Sequence, residues 1–524
     1  MLEKNSKKNR PVVLVILDGW GLAPKNEGNA IELSKKPNFD FLKENFPFTK
    51  LQASGEAVGL FPNEPGNSEA GHFNLGAGRI VLDDSVFISE SIKNRIFFEN
   101  QVLKAAINHV KKNKSHFHLM GILPDESTAH GDPNHLLALI ELAETNGIRE
   151  IFLHLFSDGR DTTPRSFLKT YEKIRKKVDG VKLATLIGRY YAMDRKKEWS
   201  KTEKAYNLIV LGEGREFKTV EEAVSFAYNR SGIKPELLTD EYIPPSIFLI
   251  NGKKVTISDN DAVIFFNLRS DRARQLTKAF VQKEFNKKNP GSFRRKKVLK
   301  NLFFVALTDF GPDLDDIKTA YPARRLKNTL PQVFKNLSQY YIAEKEKYAH
   351  VTYFFNGGYD QPYFGEKRIL VPSPEVESYD EIPQMNAEKV TEEVIKNLKK
   401  EDTNFITVNF ANPDILGHTG NIKATIKSVE FLDKCLGKII KEILHRQAIA
   451  IITADHGNAE KMIELKTGEI FTGHTTNPVP FILFSEKYKR VKLQEGILAD
   501  VAPTILKIMG FEKPKEMTGQ SLLK

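Results

Sequence analysis

Asp414 and His418 stand four residues apart in Asp414-Ile415-Leu416-Gly417-His418. On a helix that spacing sets a carboxylate and an imidazole on one face. Asp455-His456 directly follows the apolar run Ala448–Ile452, so this pair is expected at a strand end. His474, in Gly473-His474-Thr475-Thr476-Asn477-Pro478, can complete the set. Oxygen and imidazole ligands together suit a divalent ion such as Mn²⁺ or Zn²⁺. Taken singly, each Asp or His reads more simply as a cap or a core residue. Three dense polar motifs, each following an apolar run, favour the metal.

Ser68 lies in Glu64-Pro65-Gly66-Asn67-Ser68-Glu69-Ala70-Gly71-His72. Pro-Gly-Asn-Ser marks a turn, and Ser followed by Glu suits a helix start. On this segment alone, Ser68 reads most simply as the N-cap. The chemical reading is a serine at the positive end of a helix, where free N–H groups welcome phosphate. A serine hydroxyl is a poor nucleophile at neutral pH, and a metal beside it lowers its pKa.

A third group is basic. Arg160, Arg189, Arg195, Arg269 and Arg272 follow strand-like runs in the middle of the chain. Guanidinium forks bind phosphate and carboxylate bidentately, so the ligand expected is a small molecule carrying both. His130 and Asp161 are candidates for moving a hydroxyl proton. For any one of these residues a structural role is the simpler reading.

These residues need elements to position them. Pro11–Leu17 ends at Asp18, Glu150–Phe156 at Ser157-Asp158-Gly159-Arg160, and Lys182–Ile187 at Gly188-Arg189. Ala262–Phe266 ends at Asn267-Leu268-Arg269, and Phe405–Phe410 precedes Asp414. Continuous apolar runs of this length suit strands buried on both faces. Val390–Lys399 and Thr425–Ile443 show helical spacing. Alternating strand and helix signals predict an α/β fold with mostly parallel sheets, in which ligands sit at the carboxyl ends of strands. The metal candidates lie near both chain ends and the arginines lie in the middle. The expected organisation is a discontinuous domain, 1–82 with 320–524, and an inserted domain, 83–319.

The chain has 524 residues, 40% apolar and 28% charged, which reads as globular and multidomain. The segment from Met1 to Arg10 is polar and basic, without the apolar stretch of a signal peptide, and no run is long enough to span a bilayer. The single cysteine, Cys435, falls in a helix-like stretch and is expected to be a buried thiol; its solitude suits a reducing, cytoplasmic compartment. The net charge of +11 suits anionic ligands. The basic runs Arg294–Lys297 and Lys111–Lys114 carry no nucleic-acid signature. No nucleic-acid or membrane partner is expected.

Taken in order, nine motifs resemble the cofactor-independent phosphoglycerate mutases of the alkaline phosphatase superfamily, over nearly the whole chain. They are Leu17-Asp18-Gly19-Trp20-Gly21, Gly66-Asn67-Ser68-Glu69-Ala70-Gly71-His72, Ser157-Asp158-Gly159-Arg160-Asp161-Thr162, Gly188-Arg189-Tyr190-Tyr191-Ala192-Met193-Asp194-Arg195 and Asn267-Leu268-Arg269-Ser270-Asp271-Arg272. Then come Glu346-Lys347-Tyr348-Ala349-His350-Val351-Thr352, Asn412-Pro413-Asp414-Ile415-Leu416-Gly417-His418-Thr419-Gly420, Thr453-Ala454-Asp455-His456-Gly457-Asn458 and His474-Thr475-Thr476-Asn477-Pro478. So many motifs in one order are far more specific than any short match.

The resemblance implies an alkaline phosphatase-like core with a second α/β domain inserted. It implies interconversion of 3-phosphoglycerate and 2-phosphoglycerate in glycolysis and gluconeogenesis, through a phosphoserine on Ser68 and without bisphosphoglycerate. Two divalent ions are implied, usually Mn²⁺, with Zn²⁺, Mg²⁺ or Co²⁺ also compatible. Asp414, His418 and His474 would hold one, and Asp18, Ser68, Asp455 and His456 the other. Lys347 would neutralise the phosphoryl group in transit. His130, Arg160, Asp161, Arg189, Arg195, Arg269 and Arg272 would bind the glycerate, with Asp161 handling the hydroxyl proton. A monomer is expected. The alternative is another phosphomutase or a phosphatase of the same superfamily. One stretch departs from the family pattern: where Ser-Asp-Gly-Gly-Val-His-Ser-His is usual, this chain has Leu123-Pro124-Asp125-Glu126-Ser127-Thr128-Ala129-His130-Gly131-Asp132, one residue longer. It is expected to affect the glycerate pocket more than the phosphoryl chemistry.

Overall fold

In the computed structural model, residues 10–178 and 180–524 are described. The amino-terminal stretch considered above therefore lies, up to residue 9, outside the described residues. The chain divides into two compact units: Asp84–Ala323 forms one, and the rest of the described chain the other. The second junction lies a few residues beyond the expected 319/320, because Ile317–Tyr321 is a strand paired with Phe303–Thr308 in the sheet of the continuous unit. No helix among the described residues is long and apolar enough to cross a membrane.

The discontinuous unit is built on an eight-stranded sheet in the order 366–371, 338–344, 403–410, 12–17, 449–453, 479–484, 48–52 and 496–497. Its first five strands are parallel. Val12–Leu17, which is VVLVIL, lies between Thr403–Phe410 and Ile449–Thr453, and all six of its residues are buried. That explains a run without alternation: both faces of the strand are covered. The predicted helix at Thr425–Ile443 is observed as Ile422–Arg446. Asn421 caps its start by accepting the Ala424 N–H at 3.2 Å, and Gln447 ends it at φ 51°. Its buried face repeats at three and four residues through Val429, Leu432, Leu436, Ile439 and Ile443, with Cys435 buried among them. Burying each such side chain contributes about 2 kcal/mol, so a charge at Ile439 would break the packing against Ala387–Leu398.

The continuous unit has a nine-stranded sheet whose main path runs 317–321, 303–308, 262–265, 117–123, 151–157, 181–188, 246–250 and 215–217. The first six of these strands are parallel. Successive residues of each strand enter opposite cores. Leu119, Leu153, Leu155 and Ile264 join one cluster, while Met120, Phe156, Val263 and Phe265 join the other. The period of two thus survives inside runs that read as uniformly apolar. Every loop carrying a candidate arginine leaves the carboxyl end of one of these strands.

Candidate active site

In the discontinuous unit, Asp18 directly follows Val12–Leu17, and its N–H donates to the Phe410 carbonyl at 3.1 Å. Ser68 is the first residue of the helix Ser68–Ala77, but it is not the cap. Asn67 accepts the Ala70 N–H at 2.9 Å and takes that role. The Ser68 hydroxyl is thereby left for other partners. It lies 3.0 Å from His456 Nε2 and 2.7 Å from Lys347 Nζ, with a longer bond of 3.4 Å to Asp18 Oδ1.

Lys347 closes a short 3₁₀ turn after the strand Ser338–Glu344. Its ammonium donates to Asp18 Oδ1 and Asp414 Oδ2, both at 2.6 Å, as well as to Ser68. Burial lowers the Lys347 pKa, but Asp18, Asp414 and Asp455 outweigh it and the net shift is upward, so this amine stays charged. The surrounding carboxylates diverge. Asp18 is pushed up to about 6 by burial and by the Asp455 charge, against the pull of Lys347. Asp455 and Asp414, although burial opposes it, are held below the usual carboxylate range by the cations around them.

Asp414 and His418 share the helix Asn412–Thr419, as their spacing predicts. His418 Nε2 and His474 Nε2 face each other at 3.0 Å, and each lies 3.2 Å from Asp414 Oδ1. The Nδ1 atoms sit 2.8 Å from the Thr472 and Gly66 carbonyls respectively. Carbonyls accept only, so each Nδ1 carries its hydrogen and each Nε2 of a neutral ring presents a lone pair. Two lone pairs and a carboxylate oxygen converging on one point need a cation between them. Residues Asp18, Asp414 and His456 converge similarly, as do Asp18, His72 and Asp455. The donor set is oxygen and imidazole throughout, which fits a divalent ion.

Four further residues organise this centre. His72, one helical turn beyond Ser68, lies 3.2 Å from Asp455 Oδ2. Asn409 donates to Asp18 Oδ2 at 2.7 Å and lies 3.1 Å from His72 Nε2. Asn458 donates to Asp414 Oδ1 at 2.8 Å. Glu460, fully buried, accepts from the N–H groups of Gly21 at 3.1 Å and Asn458 at 2.8 Å, from Asn477 Nδ2 at 3.0 Å, and from the Thr475 hydroxyl. One carboxylate therefore ties together the loops that carry Asp18, His456 and His474. His72 was signalled by its i, i+4 spacing from Ser68, and Asn409 by being polar inside an apolar run. Glu460 stands in no motif.

The arginine set lies in the continuous unit. Arg189, 2% exposed, donates from Nη1 to Asp158 Oδ1 and Asp161 Oδ2, both at 2.6 Å, while its buried Nε and Nη2 make no hydrogen bond. Arg195 pairs with Asp271 at 2.6 Å, Arg160 lies 3.6 Å from Glu241, and Arg272 donates to the Met193 carbonyl at 3.4 Å. Arg269 precedes the helix Ser270–Val281, just beyond the strand Ala262–Phe265. His130 Nε2 lies 3.8 Å from Asp161 Oδ2. Burial and the Arg189 charge push His130 down to about 4, so its ring is neutral near pH 7. Asp161 is raised by burial, but Arg189 and His130 pull it lower overall, and it is ionised.

The unusual loop before His130 is anchored at both sides. Thr128 N–H donates to the Gly131 carbonyl at 2.9 Å, and the Leu268 N–H donates to the His130 carbonyl at 3.0 Å. Asp132 caps the helix Pro133–Thr145 through the Asn134 N–H at 2.7 Å. His130 is thus held beside the strand end that leads to Arg269, although the glycine-rich sequence is missing.

A family model described as the Metalloenzyme superfamily matches residues 10–513. The 2,3-bisphosphoglycerate-independent phosphoglycerate mutase of Clostridium acetobutylicum is 44% identical over 519 residues, covering 98% of this chain and 99% of the relative. The mutase of the same name from Clostridium botulinum is 45% identical over 521 residues, covering 98% and 99%. A crystal structure of Leishmania mexicana phosphoglycerate mutase at low cobalt concentration superposes with a TM-score of 0.72 at 30% identity, covering 100% of this chain and 99% of that one. With that identity over its full length, the chain belongs to the 2,3-bisphosphoglycerate-independent phosphoglycerate mutases, within the Metalloenzyme superfamily.

Proposed function

We propose that this chain interconverts 3-phosphoglycerate and 2-phosphoglycerate through a phosphoserine on Ser68. The observation that carries this reading is the Ser68 hydroxyl at a helix start, relieved of capping by Asn67 and held between Lys347 Nζ and His456 Nε2. Ser68 Oγ gives up its proton and attacks the phosphorus of 3-phosphoglycerate, the bond from phosphorus to the substrate's C3 oxygen breaks, and that oxygen takes up a proton to leave glycerate. Lys347 stabilises negative charge on the phosphoryl oxygens, and the first N–H groups of the Ser68 helix add their partial charge. The C2 hydroxyl then attacks the phosphoserine, and the phosphoryl group leaves Ser68 for the glycerate.

Two divalent ions belong to this reading, with Mn²⁺ as the preferred species. Asp414, His418 and His474 would hold one, and Asp18, Ser68, Asp455 and His456 the other. When bound, such ions lower the pKa of the serine hydroxyl and offset phosphoryl charge. His130, Arg160, Asp161, Arg189, Arg195, Arg269 and Arg272 would grip the glycerate. The two bondless nitrogens of Arg189 are donors already in place for a carboxylate. An anionic ligand there offsets the guanidinium charge that holds Asp161 down, and Asp161 becomes basic enough to take the proton of the C2 hydroxyl. The reading includes a monomer in the cytoplasm, and light scattering on the purified chain tests the monomer.

The test supplies purified protein with 3-phosphoglycerate and Mn²⁺, without bisphosphoglycerate, and follows products by phosphorus NMR. Formation of 2-phosphoglycerate that stops on chelation is the expected result. Release of inorganic phosphate alone would instead make the chain a phosphatase of the same superfamily.

A further inference from the structure

We propose that His116, His118 and Asp261 form a binding site for a Zn²⁺-like transition-metal ion, separate from the centre around Ser68. The site stands at the amino ends of the parallel strands of the continuous unit, whereas the arginines stand at the carboxyl ends of the same sheet. His116 immediately precedes the strand Phe117–Leu123, and Asp261 immediately precedes its neighbour Ala262–Phe265. Phe117 pairs with Ala262, so His116 comes opposite Asp261. His116 and His118, two residues apart, share one face of the sheet.

One donor atom from each of the three residues can be chosen so that all lie within 4.8 Å of one another. His118 Nε2 is 3.2 Å from Asp261 Oδ2, and His116 Nδ1 is 4.0 Å from Asp261 Oδ1. Two ligand atoms on a tetrahedral zinc ion, with bonds of about 2.0 Å, stand about 3.3 Å apart. The first distance already matches; His116 approaches the other carboxylate oxygen and has to close in for all three residues to share one ion. The His116 ring is 51% exposed and makes a T-shaped contact with Phe152 at 5.2 Å between ring centroids. Asp261 is fixed by the N–H groups of His116 at 2.8 Å and Ser258 at 2.7 Å. Two nitrogens and one carboxylate select Zn²⁺, Co²⁺ or Ni²⁺ over Mg²⁺ or Ca²⁺.

The shell behind the ligands suits this use. His118 Nδ1 lies 3.0 Å from His154 Nε2, and His154 Nδ1 lies 2.9 Å from the Thr185 hydroxyl, all fully buried. Without metal, hydrogens point along this relay towards Asp261, from Thr185 to His154 to His118. With metal on His118 Nε2, the relay runs the other way: His118 Nδ1–H donates to His154, and His154 Nδ1–H donates to Thr185 Oγ. Each ring keeps one hydrogen in both states, so binding needs no net proton loss from the pair. A histidine ligand usually donates its other N–H to a fixed acceptor behind it, and His154 supplies one here. The relay alone explains His118, but it leaves His116 without a purpose.

The test uses the full chain, stripped with chelator and reloaded with Zn²⁺ alone. Protein-bound zinc is counted by elemental mass spectrometry after gel filtration at a fixed free Zn²⁺. His116→Ala is expected to hold one equivalent less than the parent, with Mn²⁺-supported mutase turnover unchanged. His109→Ala, which removes a nearby histidine outside the cluster, is expected to hold the parent's count. Equal zinc in the parent and His116→Ala would overturn the site, as would the same loss in His109→Ala.

Discussion

Ser68 and Asn67 divide two jobs that one serine commonly combines. Because Asn67 takes the capping N–H, replacing either residue has a separable effect. Ser68→Ala is expected to abolish turnover and the labelled phosphoenzyme formed from 3-phosphoglycerate, with the melting temperature nearly unchanged. A labelled phosphoenzyme in that variant would remove Ser68 from its role. Asn67→Ala is expected to cost about 1 kcal/mol of stability, read by urea unfolding, while phosphoenzyme still forms. The segment alone favours Ser68 as the cap, and only the family resemblance makes it the nucleophile; the structure gives the cap to Asn67, whose side-chain geometry no spacing encodes.

Elements matter here chiefly through where they stop. Asp18 follows a strand, Asp455 and His456 follow another, and His474 lies in a loop; Glu460 fastens all three loops from beneath. Glu460→Gln keeps the shape but turns one acceptor oxygen into an NH2 donor. With the amide oxygen kept on the Gly21 and Asn458 N–H groups, which already share Oε2, the amide nitrogen faces the Asn477 Nδ2 donor and the Thr475 hydroxyl that Oε1 accepted. Metal affinity, measured by calorimetry, is expected to fall about 10- to 100-fold, the range seen when partners behind ligands are lost. Wild-type affinity in this variant would show that the loops hold without it. Gly19 is a second restraint: its φ is 75°, and a Cβ there would meet the Asp414 Cα at 2.7 Å. Gly19→Ala is expected to displace the Asp414 helix and reduce turnover by more than tenfold in steady-state assays. The strands were legible because their runs are short, continuous and closed by polar clusters, and Asp414 with His418 was legible because a helix repeats at four. Glu460 was illegible because an isolated Glu among loop residues has no period, and one of its four donors, Gly21, lies more than 400 residues before the other three. The loop at His130 was legible only as a departure; its anchoring to the Leu268 N–H depends on how two strands are paired.

For the molecule as a whole, one buried carboxyl sets a pH dependence of stability. Burial pushes Glu344 up to about 7 from its ordinary 4.5, against the Asn386 N–H, the Ser373 hydroxyl and Lys389, and with the Glu346 charge adding to the rise. The folded chain therefore binds this proton more tightly than the unfolded chain. Its contribution is complete below about pH 4.5 and is lost as pH rises through about 7. At about 1.4 kcal/mol per pH unit the ceiling is about 3 kcal/mol. Glu344→Gln is expected to be more stable than the parent at pH 8 and equal to it near pH 4.5 in urea unfolding; an identical difference at both values would exclude the carboxyl as the cause. A different consequence comes from the strand Val12–Leu17, whose two neighbours begin at residues 403 and 449. On the ribosome, at about 5–20 residues per second, six consecutive apolar residues wait roughly 20–80 s for their first sheet partner. For about the last 80 residues of that interval, roughly 4–16 s, the continuous unit Asp84–Ala323 is complete and can fold. The unit that carries Ser68 is thus completed last, and until then its first strand is an apolar segment with unpaired backbone groups.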